Sequence, residues 1–119
     1  MSINNYKELI VWQRSIELVL AVYKLTEKLP KTETYGLSIQ MRRCAVSIPS
    51  NIAEGRKRST RKDFTRFLVI AYSSGSELET QVEIVKSLSF GSHLSFEVID
   101  QLLNEIMRML NSMLSKLRS

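Results

Sequence analysis

Six basic residues fall between positions 56 and 66: Arg56, Lys57, Arg58, Arg61, Lys62 and Arg66, opposed within the run only by Asp63. With Arg42, Arg43 and Glu54 included, the segment 42–66 carries 8 basic and 2 acidic residues, whereas the rest of the chain carries 9 and 10. The net charge of +5 is therefore a patch on a nearly neutral body. Such a local excess of Lys and Arg suits a phosphate-bearing partner, RNA or DNA. The competing reading is a solvated turn whose charges pair with Glu54, Asp63 or a neighbouring subunit. Arg61 and Lys62 open a helix, where the dipole disfavours cations, and Lys62 and Arg66 repel each other at i,i+4. An anion at that helix start would resolve both conflicts. No aromatic residue interrupts the run before Phe64, which fits a core stripe, so phosphate contact with little sequence reading is expected rather than base stacking.

Other reactive residue types offer less. Arg42 and Arg43 either extend the basic surface along the bundle or pair with Glu77 or Glu79 on the third helix, since adjacent helical residues diverge by about 100°. His93 is the single histidine and Cys44 the single cysteine; Cys44 falls on an apolar stripe and reads as a small core residue. Glu79 and Glu83 are one turn apart, but the Glu-x-x-His partner of a bundle metal site is absent. With no phosphate loop, nucleophile elbow or zinc motif, no catalytic residue, metal or cofactor is assigned, and the protein is read as a non-enzyme.

These residues must be positioned by a chain of 119 residues that is 44% apolar and 24% charged. That is one ordinary globular domain spanning 1–119. One cysteine precludes an internal disulfide and fits a reducing compartment. There is no leader pattern at the N-terminus, and the longest apolar run of the first helix, Leu18 to Tyr23, is far short of the ~20 residues a membrane span needs. A soluble, cytoplasmic protein without a membrane partner is expected.

Four stretches carry helical periodicity. The first starts near Asn5, stops before Pro30, and bears two apolar stripes. One is Leu9, Trp12, Ile16, Val19, Tyr23 and Thr26. The other is Val11, Leu18, Val22, Leu25 and Leu29. One core does not need two stripes, so this helix is expected to be buried on two sides. The second segment starts near Thr32, places Leu37, Met41, Cys44, Ala45, Ile48 and Ile52 inward, kinks near Pro49 and ends at Gly55. The third opens with a Thr60–Asp63 capping pair, continues through Phe64, Phe67, Ala71, Leu78, Val82 and Val85, and contains Gly75, which marks either a close helix contact or a break. The fourth follows Gly91 with Ser95 as cap and carries the seam Phe96, Ile99, Leu103, Ile106, Leu110, Met113 and Leu117. Long helices with short connections predict an all-α, antiparallel up-down-up-down four-helix bundle about 30–40 Å long.

The segments Leu9-Ile10-Val11-Trp12-Gln13, Val22-Tyr23-Lys24-Leu25-Thr26, Tyr35-Gly36-Leu37 and, most specifically, Gln40 through Gly55 (QMRRCAVSIPSNIAEG) resemble the four helix bundle protein family. Its members are encoded by intervening sequences in bacterial 23S rRNA genes and are also labelled S23 ribosomal protein. The chain is similar as well to the accessory variability determinant protein of diversity-generating retroelements. The resemblance covers nearly the whole chain. It implies a ring-like homopentamer, in which the second stripe of the first helix (Val11, Leu18, Val22, Leu25 and Leu29) is assigned to the subunit interface, and, from the retroelement relative, a basic surface that binds nucleic acid and a reverse transcriptase partner. The alternative function is a protein–protein scaffold or accessory subunit that does not itself bind nucleic acid.

Overall fold

The computed structural model describes residues 5–118. Four α-helices dominate it: α1 (Ile10–Glu27), α2 (Ile39–Arg56), α3 (Arg61–Ser87) and α4 (Glu97–Arg118). Each packs on its neighbour in sequence, and α4 closes the square against α1. The result is the expected up-down-up-down bundle, 46 × 22 × 21 Å. Cross-links between helices fix the antiparallel register: Arg42 to Thr26, Ser47 to Ser74, Lys86 to Asp100 and Arg14 to Glu105.

The second stripe of α1 does not have the role expected of it. Val11, Leu18, Val22, Leu25 and Leu29 are buried within the single chain, so they are core and not a surface left for another subunit. The missing member of the seam is Ser15, fully buried, its hydroxyl donating to the Val11 carbonyl at 2.6 Å. With Ser15 in place the buried positions repeat as 4-3-4-3-4, the spacing of a bundle seam. Each large aliphatic side chain so buried contributes about 1.5–3 kcal/mol. Trp12, Ile16 and Val19 of the other stripe are half-buried, and Tyr23 is exposed. Asn5 does act as a cap, but of a separate 3-10 turn, Tyr6–Glu8: its side chain accepts from the Lys7 N–H at 3.1 Å. Leu9 is extended, and α1 begins only after it.

α2 also starts later than expected. A 3-10 turn (Lys31–Glu33) and a π-helical turn (Thr34–Ser38) precede it, with non-helical dihedrals at Gly36 (φ −110°, ψ −111°). The Glu33 carboxylate accepts from the Leu37 N–H at 3.3 Å, which supplies the negative charge the helix start favours. α2 then passes through the buried Pro49 as one helix. Gly55 does not end it. The helix runs on to Arg56, and no glycine among the described residues has positive φ. A methyl group on Gly55 would lie 2.8 Å from the Phe67 Cβ and 3.3 Å from the Phe64 carbonyl oxygen. Gly55 therefore allows α3 to approach, rather than turning the chain.

α3 opens as expected, with the Thr60 hydroxyl accepting from the Asp63 N–H at 3.1 Å. It continues unbroken through Gly75, which is buried against the Met107 thioether of α4. The close-contact reading of Gly75 holds. α4 buries Phe96, Ile99, Leu103, Ile106 and Leu110, but near its end Leu114 replaces Met113 as the buried residue. A straight helix of 3.6 residues per turn drifts away from a strict 3.5 repeat, which rotates the later positions of the seam.

The two glycine contacts differ in how much their partners can yield. Gly55→Ala meets a Cβ and a backbone oxygen, so it should lower the unfolding free energy by about 1–3 kcal/mol despite the better helix propensity of Ala. Gly75→Ala meets the far end of a flexible side chain and should cost less. Urea denaturation of the two variants measures the difference.

Candidate nucleic-acid interface

The connection between α2 and α3 is four residues long, Lys57 to Thr60. It therefore confines all six residues of the basic run to one end of the bundle. Beneath them lies a layer of half-buried rings: Phe64, Phe67, Tyr6 and Trp12, with Tyr6 and Trp12 edge-to-face at 5.3 Å. The cations sit on this layer. The Arg56 guanidinium carbon is 5.7 Å from the Phe64 centroid, and the Lys57 ammonium is 5.4 Å from that of Tyr6. Arg58 and Arg66 share Phe67, at 4.7 and 5.0 Å. Two guanidinium groups on one ring are brought together against their mutual repulsion. Among Lys57, Arg58, Arg61, Lys62 and Arg66, Arg58 alone is ion-paired, to Glu54 at 2.6 Å. Both groups are about half exposed, so that pair is worth little. Arg61 and Lys62 are exposed, and their own amide N–H groups open α3, where a helix presents donors to an anion.

Topology adds residues that the linear run did not reveal. The antiparallel register carries Lys7, before α1, and Lys116 and Arg118, in the last turn of α4, to the same end. The up-down-up-down order was the available signal, because it forces the first and last turns of the chain to meet the α2–α3 junction. Arg42 and Arg43 do not join them. They precede Arg56 by 14 and 13 residues, about 20 Å along α2 at ~1.5 Å per residue. Nor does Arg42 pair with Glu77 or Glu79: its Nε donates to the Thr26 hydroxyl at 2.8 Å, and its guanidinium lies 4.4 Å from the Tyr23 centroid. It faces α1, not α3.

Residues 7–112 match the family described as 23S rRNA-intervening sequence protein. The chain belongs to that family. A solved structure agrees: a protein of unknown function from the S23 ribosomal protein family of Bacteroides thetaiotaomicron superposes with a TM-score of 0.80 at 26% identity, covering 89% of this chain and 96% of that one. No curated protein gives a significant match.

In this member of the 23S rRNA-intervening sequence family the remaining reactive groups are structural. No cluster of three or more His, Cys, Asp or Glu side chains suited to a metal ion occurs among the described residues. No described helix is long and apolar enough to cross a membrane. His93 is exposed on the α3–α4 connection. Glu83 and Asp100 both bind Lys86, at 3.0 and 2.8 Å, tying α3 to α4. Hydrogen bonding to Asp100 first, then to Glu83, raises the Lys86 pKa.

Cys44 is buried, and burial above all, reinforced by the neighbouring Glu77 carboxylate, pushes its thiol from 9.0 up to about 11. A thiol so shifted holds about one hundredth of the ordinary thiolate fraction at neutral pH. Native protein should therefore react with a thiolate-selective disulfide reagent at least about 100-fold more slowly than urea-unfolded protein. The raised pKa also sets a direction for stability. The native state holds this proton more tightly, so the contribution is complete below pH 9 and declines as pH rises from 9.0 towards about 11. Absorbance-monitored labelling and urea titrations at pH 8 and 10.5 test both statements.

Proposed function

We propose that this protein is a non-enzymatic, cytoplasmic, self-associating bundle that binds RNA or DNA through the end displaying Arg56, Lys57, Arg58, Arg61, Lys62 and Arg66. The contacts are to phosphates and carry little sequence preference. One observation carries the reading: Lys57, Arg61, Lys62 and Arg66 lie at one end of the bundle, and none has a carboxylate within 4.0 Å among the described residues. The other ion pairs among the described residues lie elsewhere, within α1, within α3, and between α4 and each of these helices. A solvated turn neutralised by its own acids would show the reverse distribution. The family's link to 23S rRNA intervening sequences makes structured RNA the first ligand to test. Four to six phosphate contacts correspond to a log–log salt slope of about −4 to −5 on duplex DNA. Replacing Lys57, Arg61, Lys62 and Arg66 by Ala should flatten that slope by about one per lost contact. Fluorescence anisotropy between 50 and 300 mM KCl measures both, and a flat response of the unmodified protein contradicts the proposal.

Self-association, with five subunits as the resemblance implies, is supported by exposed apolar side chains rather than by the stripe first assigned to it. Leu20 and Val98, 62% and 59% exposed, border the groove between α1 and α4. Five copies would display five basic ends together and raise avidity for a polyanion. Sedimentation should give about five times the 13.7 kDa chain mass, and Leu20→Glu with Val98→Glu should shift it towards one. A wild-type mass of 13.7 kDa contradicts the assembly. The same groove supports a second reading, a scaffold or accessory subunit, which would retain a protein partner after nuclease treatment and after loss of the four basic side chains.

A further inference from the structure

A second site lies at the opposite end of the bundle, in the cleft between the end of α1 and the start of α2. It encloses about 720 Å³, within the range of small-molecule sites. Its wall combines Tyr23, Tyr35, Ile39 and Val46 with Arg42 and Arg43. Arg42 is fixed in place: the Nε bond to Thr26 and the Tyr23 ring beneath it commit one edge and one face. Its terminal amino groups have no acceptor among the described residues. Neither Arg42 nor Arg43 has a carboxylate within 4.0 Å there, and the one acid of the lining, Glu27, is exposed. Tyr35 is 89% exposed, an aromatic ring left to solvent beside two unpaired guanidinium groups.

One occupant satisfies all of this. An apolar peptide would cover the rings but strip water from cations it does not pair, which is costly. An acidic peptide would pair the cations and leave Tyr35 uncovered. A flat heteroaromatic group bearing a phosphate meets both demands, because guanidinium forks match phosphate oxygens and rings stack on bases. We infer that this cleft binds a nucleoside phosphate, with the base against Tyr35 and the phosphate on Arg42 and Arg43. The source is a free mononucleotide or an unpaired nucleotide of a strand. The site is about 20 Å from the basic end along α2, so it stands or falls separately from the function proposed above.

Isothermal titration of the full chain tests it with four probes: adenosine 5′-monophosphate, adenosine, inorganic phosphate, and a 5′-phosphorylated single-stranded hexa-adenylate. The hexa-adenylate is titrated against the Lys57, Arg61, Lys62 and Arg66 to Ala variant, which silences the other end. The monophosphate or the hexa-adenylate should bind at least about tenfold more tightly than adenosine or phosphate, and Tyr35→Ala and Arg43→Gln should each weaken it about tenfold. Both side chains are exposed, so neither change threatens folding. Binding of both ligands assigns free and strand-borne nucleotides to the cleft; binding of the hexa-adenylate alone assigns only the latter. The inference is overturned if neither ligand binds or if the two substitutions leave affinity unchanged. It is also overturned if monophosphate binding is lost with the four basic-end side chains, which would move the ligand there. A fall in sedimenting mass on Tyr35→Ala would overturn it as well, by making the cleft a contact between copies of the chain.

Discussion

The last turn of α2 lies against the first turns of α3 with room for a hydrogen atom but not a methyl group at position 55. That single close approach organises the basic end of the molecule. It draws Phe64 and Phe67 under the α2 terminus, and the rings become the floor on which Arg56, Arg58 and Arg66 rest. A cation over a ring keeps part of its hydration and its outward donors while losing conformational freedom. Arg66 is thus held against Phe67 with no carboxylate among the described residues paired to it, and a cation so held has less ordering entropy left to lose when an anion arrives.

Elsewhere in the bundle two cations tie helices together. Arg14 bridges Glu17 on its own helix and Glu105 on α4, and hydrogen bonding to Glu17 is the chief cause of its raised pKa. Lys86 performs the same task between α3 and α4 with Glu83 and Asp100. Both are lateral ties between helices. At the α2–α3 end the carboxylates are Glu8 in the turn before α1, Asp63 in the first turn of α3, and Glu54, which meets Arg58.

Much of this was legible before any coordinates. Helix number, order and connections follow from apolar spacing, and the Thr60–Asp63 cap from residue type. What misled was local. Ser15 hides the true seam of α1, because a buried hydroxyl bonded to its own helix reads as a polar surface residue. Gly55 reads as a helix stop, because a glycine that admits a neighbouring helix and one that turns the chain are the same letter. The strict 3.5 repeat of α4 points to Met113 where helical drift buries Leu114. Arg42 and Arg43 sit near the basic run in sequence terms but about 20 Å away along α2. Only the fold could separate one basic segment into two places on the molecule, or add Lys7 and Arg118 to the first.

The claim that the α2–α3 end is the polyanion surface is tested most directly by lysine footprinting. The folded protein would be acylated with and without an RNA duplex, and each lysine's modification rate read by mass spectrometry. The account predicts strong protection of Lys57 and Lys62, with unchanged rates at Lys24 and Lys28 at the far end of α1. Protection spread evenly over both ends, or confined to the far end, would contradict it.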